Sequence, residues 1–234
     1  LGIGLRHGDI FAAIKANVPA GIEHADQRMS FSDFKKSENL NLPDPPITLN
    51  YSGQNDGWSF GHDRFVNAMN GRKYPLYFYW GAFGHANNHA RILKVNDLIN
   101  SFDWLNVRKN QAYPVFTNAS CNSKLPWPDN LKDKKSGQLN AFFRWRSISD
   151  TEKYFEISLF MISSDQLKTE FRIPKKATVD VSLRRLQRMN FNEGDSVKWS
   201  FGKVNGETII GSDNIFTVKN INLTSNPQTL SIYK

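Results

Sequence analysis

The sequence predicts an α/β unit built on a parallel sheet, followed by an all-β sandwich unit. Three observations predict it. Across residues 1–137, isolated apolar segments alternate with helically spaced ones and with long loops, the rhythm of strand, helix, strand, helix. From residue 138 onward, short alternating segments recur at regular spacing with turn dipeptides between them. Between the two, Pro126-Trp127-Pro128 makes a stiff extended connector and Lys132-Asp133-Lys134-Lys135 a charged run. The boundary is therefore expected near Ser136-Gly137, with domains at 1–137 and 138–234.

In order along the chain, residues 1–7 read as the end of a helix stopped around Gly8-Asp9, and 11–18 as an apolar strand ended by Pro19. After a long polar stretch, Pro45-Pro46 introduces a second buried strand at 47–51, which ends in the loop Ser52-Gly53-Gln54-Asn55-Asp56-Gly57. Phe65, Val66 and Met69 share one face of a helix over 63–70, stopped by Gly71. A third strand at 76–82 leads into Phe83-Gly84-His85, and a helix is expected over 96–108 with Leu98, Ile99, Phe102 and Leu105 on one face and Asn96 as N-cap. Consecutive strands are far enough apart for crossovers, so 11–18, 47–51 and 76–82 are predicted as neighbours in one parallel sheet. In the second half, strands are expected at 141–147, 154–162, 169–173, 178–182, 196–201, 207–210, 215–218 and 229–233, with turns at Asn205-Gly206 and Glu193-Gly194. That density suggests a sandwich of the immunoglobulin or fibronectin III type, without the paired cysteines of antibody-like domains.

Composition narrows the function classes. No apolar run approaches the roughly 20 residues of a membrane helix, so no membrane partner is expected. Thirty Lys and Arg against 22 Asp and Glu give a net charge of +8, but the signs are interspersed. The densest basic stretch, Arg172, Lys175, Lys176, Arg184, Arg185 and Arg188, reads as a solvated sheet face, so no nucleic acid is expected. The single cysteine, Cys121, excludes an internal disulfide and a cysteine-based zinc site, and no cofactor is expected. With neither an initiator Met nor a leader pattern at its start, the chain reads as a fragment.

In a parallel α/β sheet, functional side chains gather on loops leaving the C-terminal ends of strands, and Asp56 and His85 each occupy such a loop. An acid after one strand and a histidine after the next suit a nucleophile-His-Asp relay: the carboxylate fixes the imidazole tautomer, and the imidazole takes the nucleophile's proton. Trp58 and Phe60 beside the acid are candidates for lining a substrate pocket, or for packing under the loop. Alternatives stay open: Asp56 as an Asx turn, His85 as a packed loop histidine, His89 as the base instead, or His85 with His89 as metal ligands. Trp145 and Trp199 fall in strand patterns where inward packing is the default.

At these residues the first half resembles the C-terminal part of an α/β-hydrolase, in particular secreted bacterial esterases and depolymerase-like enzymes with a β-sandwich behind the hydrolase domain. Leu5-Arg6-His7-Gly8-Asp9-Ile10-Phe11-Ala12-Ala13 is similar to the helix and strand after a nucleophile elbow, Tyr51-Ser52-Gly53-Gln54-Asn55-Asp56 to the acid loop, and Gly81-Ala82-Phe83-Gly84-His85 to the histidine loop. The resemblance covers roughly residues 1–110 and implies a carboxylic-ester hydrolase in chain order Ser, Asp, His, with Asp56 as acid and His85 as base. It places the nucleophile elbow just upstream of Leu1, so the partners implied are an ester substrate and the upstream part of the same domain. This chain alone is then expected to be inactive, and the location secreted or periplasmic. Ester, polyester and peptide substrates all remain open. The reading from a different class is a non-catalytic binding or adhesion module, built on a degenerate hydrolase half and a sandwich.

Overall fold

The computed structural model describes residues 1–17, 44–59, 61–85, 89–103, 107–127 and 135–234. The described chain is mostly β, with twelve strands in three sheets and three α-helices. It divides into two compact units: Leu1–Lys109, Asn122–Ala141 and Leu167–Arg172 form the first, and Asn110–Cys121, Phe142–Gln166 and Ile173–Lys234 the second.

The first unit holds α1 (Gly2–Arg6), β1 (Ala13–Asn17), β2 (Ile47–Gly53), a 3₁₀ turn at Gly57–Ser59, α2 (His62–Gly71), β3 (Leu76–Gly81) and α3 (His89–Asn100). Residues 110–121 then contribute β4 (Tyr113–Thr117) to the second unit before the chain returns with β5 (Gly137–Leu139). The sheet order is β1-β2-β3-β5, with β1, β2 and β3 parallel as predicted and β5 antiparallel to β3. Parallel strands need crossovers, and α2 supplies the one between β2 and β3. Its buried face, Phe65, Val66 and Met69, joins Leu5, Leu76, Phe78, Trp80, Trp127 and Leu139 in one apolar cluster. Trp127 stacks on Phe78 with ring centroids 5.7 Å apart. On the opposite face Tyr77 meets Phe102 edge-on at 4.8 Å, and Tyr79 lies 6.2 Å from Phe171.

β2 is the buried strand expected, with all seven of its residues buried although polar and apolar ones alternate along it. Its polar set, Thr48, Asn50 and Ser52, shares a face with Leu76, Phe78 and Trp80 of β3. The Thr48 hydroxyl donates to the Pro46 carbonyl at 3.2 Å, while the Asn50 amide and the Ser52 hydroxyl have no hydrogen-bond partner among the described residues.

The second unit adds β6 (Phe143–Asp150), β7 (Tyr154–Met161), β8 (Lys176–Arg184), β9 (Ser196–Phe201), β10 (Val204–Ile209), β11 (Thr217–Thr224) and β12 (Gln228–Tyr233). One sheet has the order β10-β9-β12-β7-β6 and the other β11-β8-β4, all pairs antiparallel. Phe116 of β4 meets Phe143 of β6 at 4.9 Å, joining the two sheets, and such β content is compatible with a sandwich.

Near the expected boundary at Ser136-Gly137, Gly137–Leu139 forms β5, Leu139 joins the apolar cluster of the first unit, and the second unit resumes at Phe142. Three local expectations need correction. The helix expected over 96–108 runs His89–Asn100, with Asn96 inside it; the Ser101 hydroxyl donates to the Leu98 carbonyl at 2.7 Å where the helix ends, and Leu105 lies outside the described residues. Residues 169–173 form no strand, and β4 is an unpredicted one that pairs with β8. The hairpin turn is not Asn205-Gly206, which lies within β10 opposite Ser200 and Trp199, but Gly202-Lys203, where Gly202 takes φ 58°. The Glu193-Gly194 turn is present, with Gly194 at φ 87°.

Candidate active site

Because β2 and β3 are parallel neighbours, their C-terminal ends emerge side by side and the loops that follow start in contact. Gly53 pairs with Gly81 at the last step of the ladder. Both positions need glycine for close approach: a Cβ on Gly53 would sit 2.5 Å from the Phe83 carbonyl oxygen, and one on Gly81 would sit 2.8 Å from the Phe83 ring. Phe83 fills the space they leave and lies 5.5 Å from the Tyr51 ring. Backbone bonds then stitch the loops together: Gln54 N–H donates to the Gly81 carbonyl at 2.8 Å, and Asn55 N–H to the Phe83 carbonyl at 3.0 Å.

This clip delivers Asp56 to His85. Asp56 is buried, at 2% exposure, and its Oδ2 accepts a 2.9 Å hydrogen bond from His85 Nδ1. A carboxylate only accepts, so Nδ1 carries the proton and Nε2 is left as the basic nitrogen of the neutral ring. The other carboxylate oxygen, Oδ1, accepts from the Trp58 N–H at 3.0 Å. The Asx turn and the acid–histidine pair therefore coexist, one on each oxygen, and two N–H donors replace the water a buried carboxylate loses. The His85 side chain is 62% exposed, and its Nε2 makes no hydrogen bond among the described residues.

The remaining candidates are placed as follows. Trp58 is 52% exposed next to the pair, and Phe60 lies outside the described residues. His89 opens α3, but its side chain lies outside those described. His7 faces Asp9 at 3.5 Å with both side chains largely exposed, His62 is buried edge-on against Phe78 and Trp127, and His24 lies outside the described residues. Among the described residues no three His, Cys, Asp or Glu side chains converge as a metal site would need.

The expectation of an elbow outside this chain passes over a pentapeptide within it, Gly57-Trp58-Ser59-Phe60-Gly61, which has the Gly-x-Ser-x-Gly form. Its setting is not an elbow. Ser59 ends a 3₁₀ turn three residues after Asp56, is fully buried, and donates its hydroxyl to the Gly53 carbonyl at 2.8 Å. A nucleophilic serine presents its oxygen to substrate at a sharp strand-to-helix turn, whereas this one holds the acid loop closed. Also missed from sequence were Gly53, Gly81 and Phe83, although two glycines ending neighbouring strands were a readable sign of close approach.

The chain matches no family model, no curated protein and no solved structure.

Proposed function

We propose that Asp56 and His85 are the acid and base of a hydrolytic relay on a carboxylic ester, in a sheet of α/β-hydrolase type followed by a fibronectin III-like sandwich. The nucleophilic hydroxyl would come from sequence preceding Leu1. The observation that carries the reading is the 2.9 Å bond from a largely exposed imidazole to a buried carboxylate, with the far nitrogen making no hydrogen bond among the described residues. In this relay His85 Nε2 takes the nucleophile's proton as its oxygen attacks the acyl carbonyl, then returns that proton to the departing alkoxide. Water repeats the two transfers and frees the acid. Asp56 holds the ring so that Nε2 faces the reaction, and balances the imidazolium that forms.

The test uses the 234-residue chain and a chain extended upstream, assayed on p-nitrophenyl esters. The extended protein should hydrolyse them, with His85→Ala abolishing activity and Asp56→Asn lowering kcat by roughly 10⁴ at unchanged fold. Ser59→Ala, which loosens the acid loop without removing a reacting group, should lower kcat far less than His85→Ala. Full activity in His85→Ala refutes the relay, and activity lost in a folded Ser59→Ala would move the nucleophile into this chain. An extended protein that folds but hydrolyses no ester would favour the binding-module reading.

A further inference from the structure

The outer face of the five-stranded sheet carries a second arrangement, independent of the Asp56–His85 pair. Along β7, Phe155, Ile157 and Leu159 point inward and are buried, as do Leu230 and Ile232 on β12, so the alternate residues stand on the outer face. There Tyr233 lies directly opposite Tyr154, with Lys198 on its other side, and Ser231 lies opposite Glu156. The tyrosine rings are 5.1 Å apart and tilted by 45°, and Tyr233 is 47% exposed. Their ring faces are not needed to fill the core, which the inward residues already fill.

Behind the rings the polar atoms are fixed. The Ser231 hydroxyl donates to Glu156 Oε1 at 3.0 Å. A hydrogen bond to Glu156 raises the pKa of the Tyr154 hydroxyl, because the carboxylate favours its protonated form. Farther along the same face Arg146 lies over the Phe160 ring at 5.5 Å. Lys198 stands opposite Glu207 and Arg146 opposite Ser158, next to Glu156 along the same face of β7, so both signs are interspersed on this face.

We propose that this face binds a neutral saccharide chain, a sugar ring stacking on Tyr233 and Tyr154 while its hydroxyls hydrogen-bond Glu156 and Lys198. The chemistry discriminates among ligands. A wholly apolar ligand would take water from the Glu156 carboxylate and the Lys198 ammonium without replacing it, and a polyanion would meet a carboxylate at the centre of the patch. A protein partner calls for a broader apolar centre than two tyrosines provide. A saccharide offers an apolar ring face and a rim of hydroxyls, the complement of rigid aromatic rings beside preset donors and acceptors.

The test is native affinity electrophoresis of the 234-residue chain through gels containing hydroxyethylcellulose, galactomannan or a soluble β-1,3-glucan. At least one neutral gel should retard it. Tyr233→Ala and Tyr154→Ala should each weaken binding about tenfold, and Tyr233→Trp should retain it. Unretarded migration in all three gels, or full retardation of the folded double alanine variant, overturns the proposal. Should the alanine variants fail to fold, NMR shifts of the unmodified chain on adding a β-1,3-glucan oligosaccharide decide it: changes centred on 154–158 and 231–233 support the face, and changes elsewhere overturn it.

Discussion

A single methyl group should separate the Asp56–His85 pair. In Gly53→Ala the new Cβ would start 2.5 Å from the Phe83 carbonyl oxygen and 3.0 Å from its ring, where ordinary contacts begin near 3.4 Å. The carbonyl must therefore retreat by about 0.9 Å, and backbone yields less readily than the end of a flexible side chain. That carbonyl accepts the Asn55 N–H at 3.0 Å and stands two residues before His85. A displacement of this size carried to the imidazole lengthens the 2.9 Å bond beyond hydrogen-bond range. Expected costs are about 1–3 kcal/mol of stability from overpacking and, in an active extended protein, about 10²-fold in kcat from misplacement. Gly57→Ala is the control, since its Cβ meets nothing within 4 Å, and should change neither quantity. The assays are thermal melting and the low-field NMR resonance of the His85 Nδ1 proton, which should be present in the parent and in Gly57→Ala and lost in Gly53→Ala. A folded Gly53→Ala that keeps this resonance, or a Gly57→Ala that loses it equally, refutes the clip.

Ser52→Ala removes a buried hydroxyl that lacks a partner among the described residues, so it should raise stability by about 1 kcal/mol, read as a higher melting temperature. Cys121, whose thiol burial pushes up to about 11 from 9.0, should react with a disulfide reagent at pH 8 roughly 100-fold more slowly in the native chain than after unfolding, because only the thiolate attacks. Asp195 has its pKa lowered chiefly by Lys234, whose Nζ lies 2.8 Å away. A depressed carboxylate stabilises above its unfolded pKa and loses that contribution as pH falls through the folded value, so Lys234→Met should lower the melting temperature more at pH 7 than at pH 2, where only the contacts of Nζ with the Asn190 carbonyl and the Phe191 ring are lost.

What the sequence made legible was whatever depended on local pattern and chain order. Three apolar segments separated by crossover lengths gave β1, β2 and β3 in a parallel sheet, and parallel neighbours bring their C-terminal loops together; that is why Asp56 and His85 were found. What stayed hidden depended on partners distant in sequence. Nothing in Gly137-Gln138-Leu139 marks it as a strand, since three residues carry no period, yet it pairs with β3 and closes the apolar cluster. β4 was missed because Pro114 demotes a strand, although a proline is tolerated where its missing donor is not needed, as at the edge of this sheet beside β8. The Asn205-Gly206 signal for a hairpin is overruled by Gly202, whose positive φ makes the turn three residues earlier and places Gly206 under the Trp199 ring.

The identity of residue 56 bears on the proposed relay on electrostatic grounds. The contact from Oδ1 to the Trp58 N–H asks only for an acceptor, which an asparagine oxygen supplies without bringing a charge into the protein. Burying a carboxylate is costly unless something answers its charge, and here the answering group is an imidazole able to become imidazolium. His85 is exposed on its other side, so protonation at Nε2 would take place in contact with solvent or with a bound reactant. Asparagine at 56 would reproduce the turn, but its amide could orient the wrong tautomer and would offer no charge to the imidazolium. A structural loop has no use for that charge, whereas a proton-transferring histidine needs it at the moment Nε2 gains its proton. The burial of Asp56 and the exposure of His85 thus favour the relay together, where neither would do so alone.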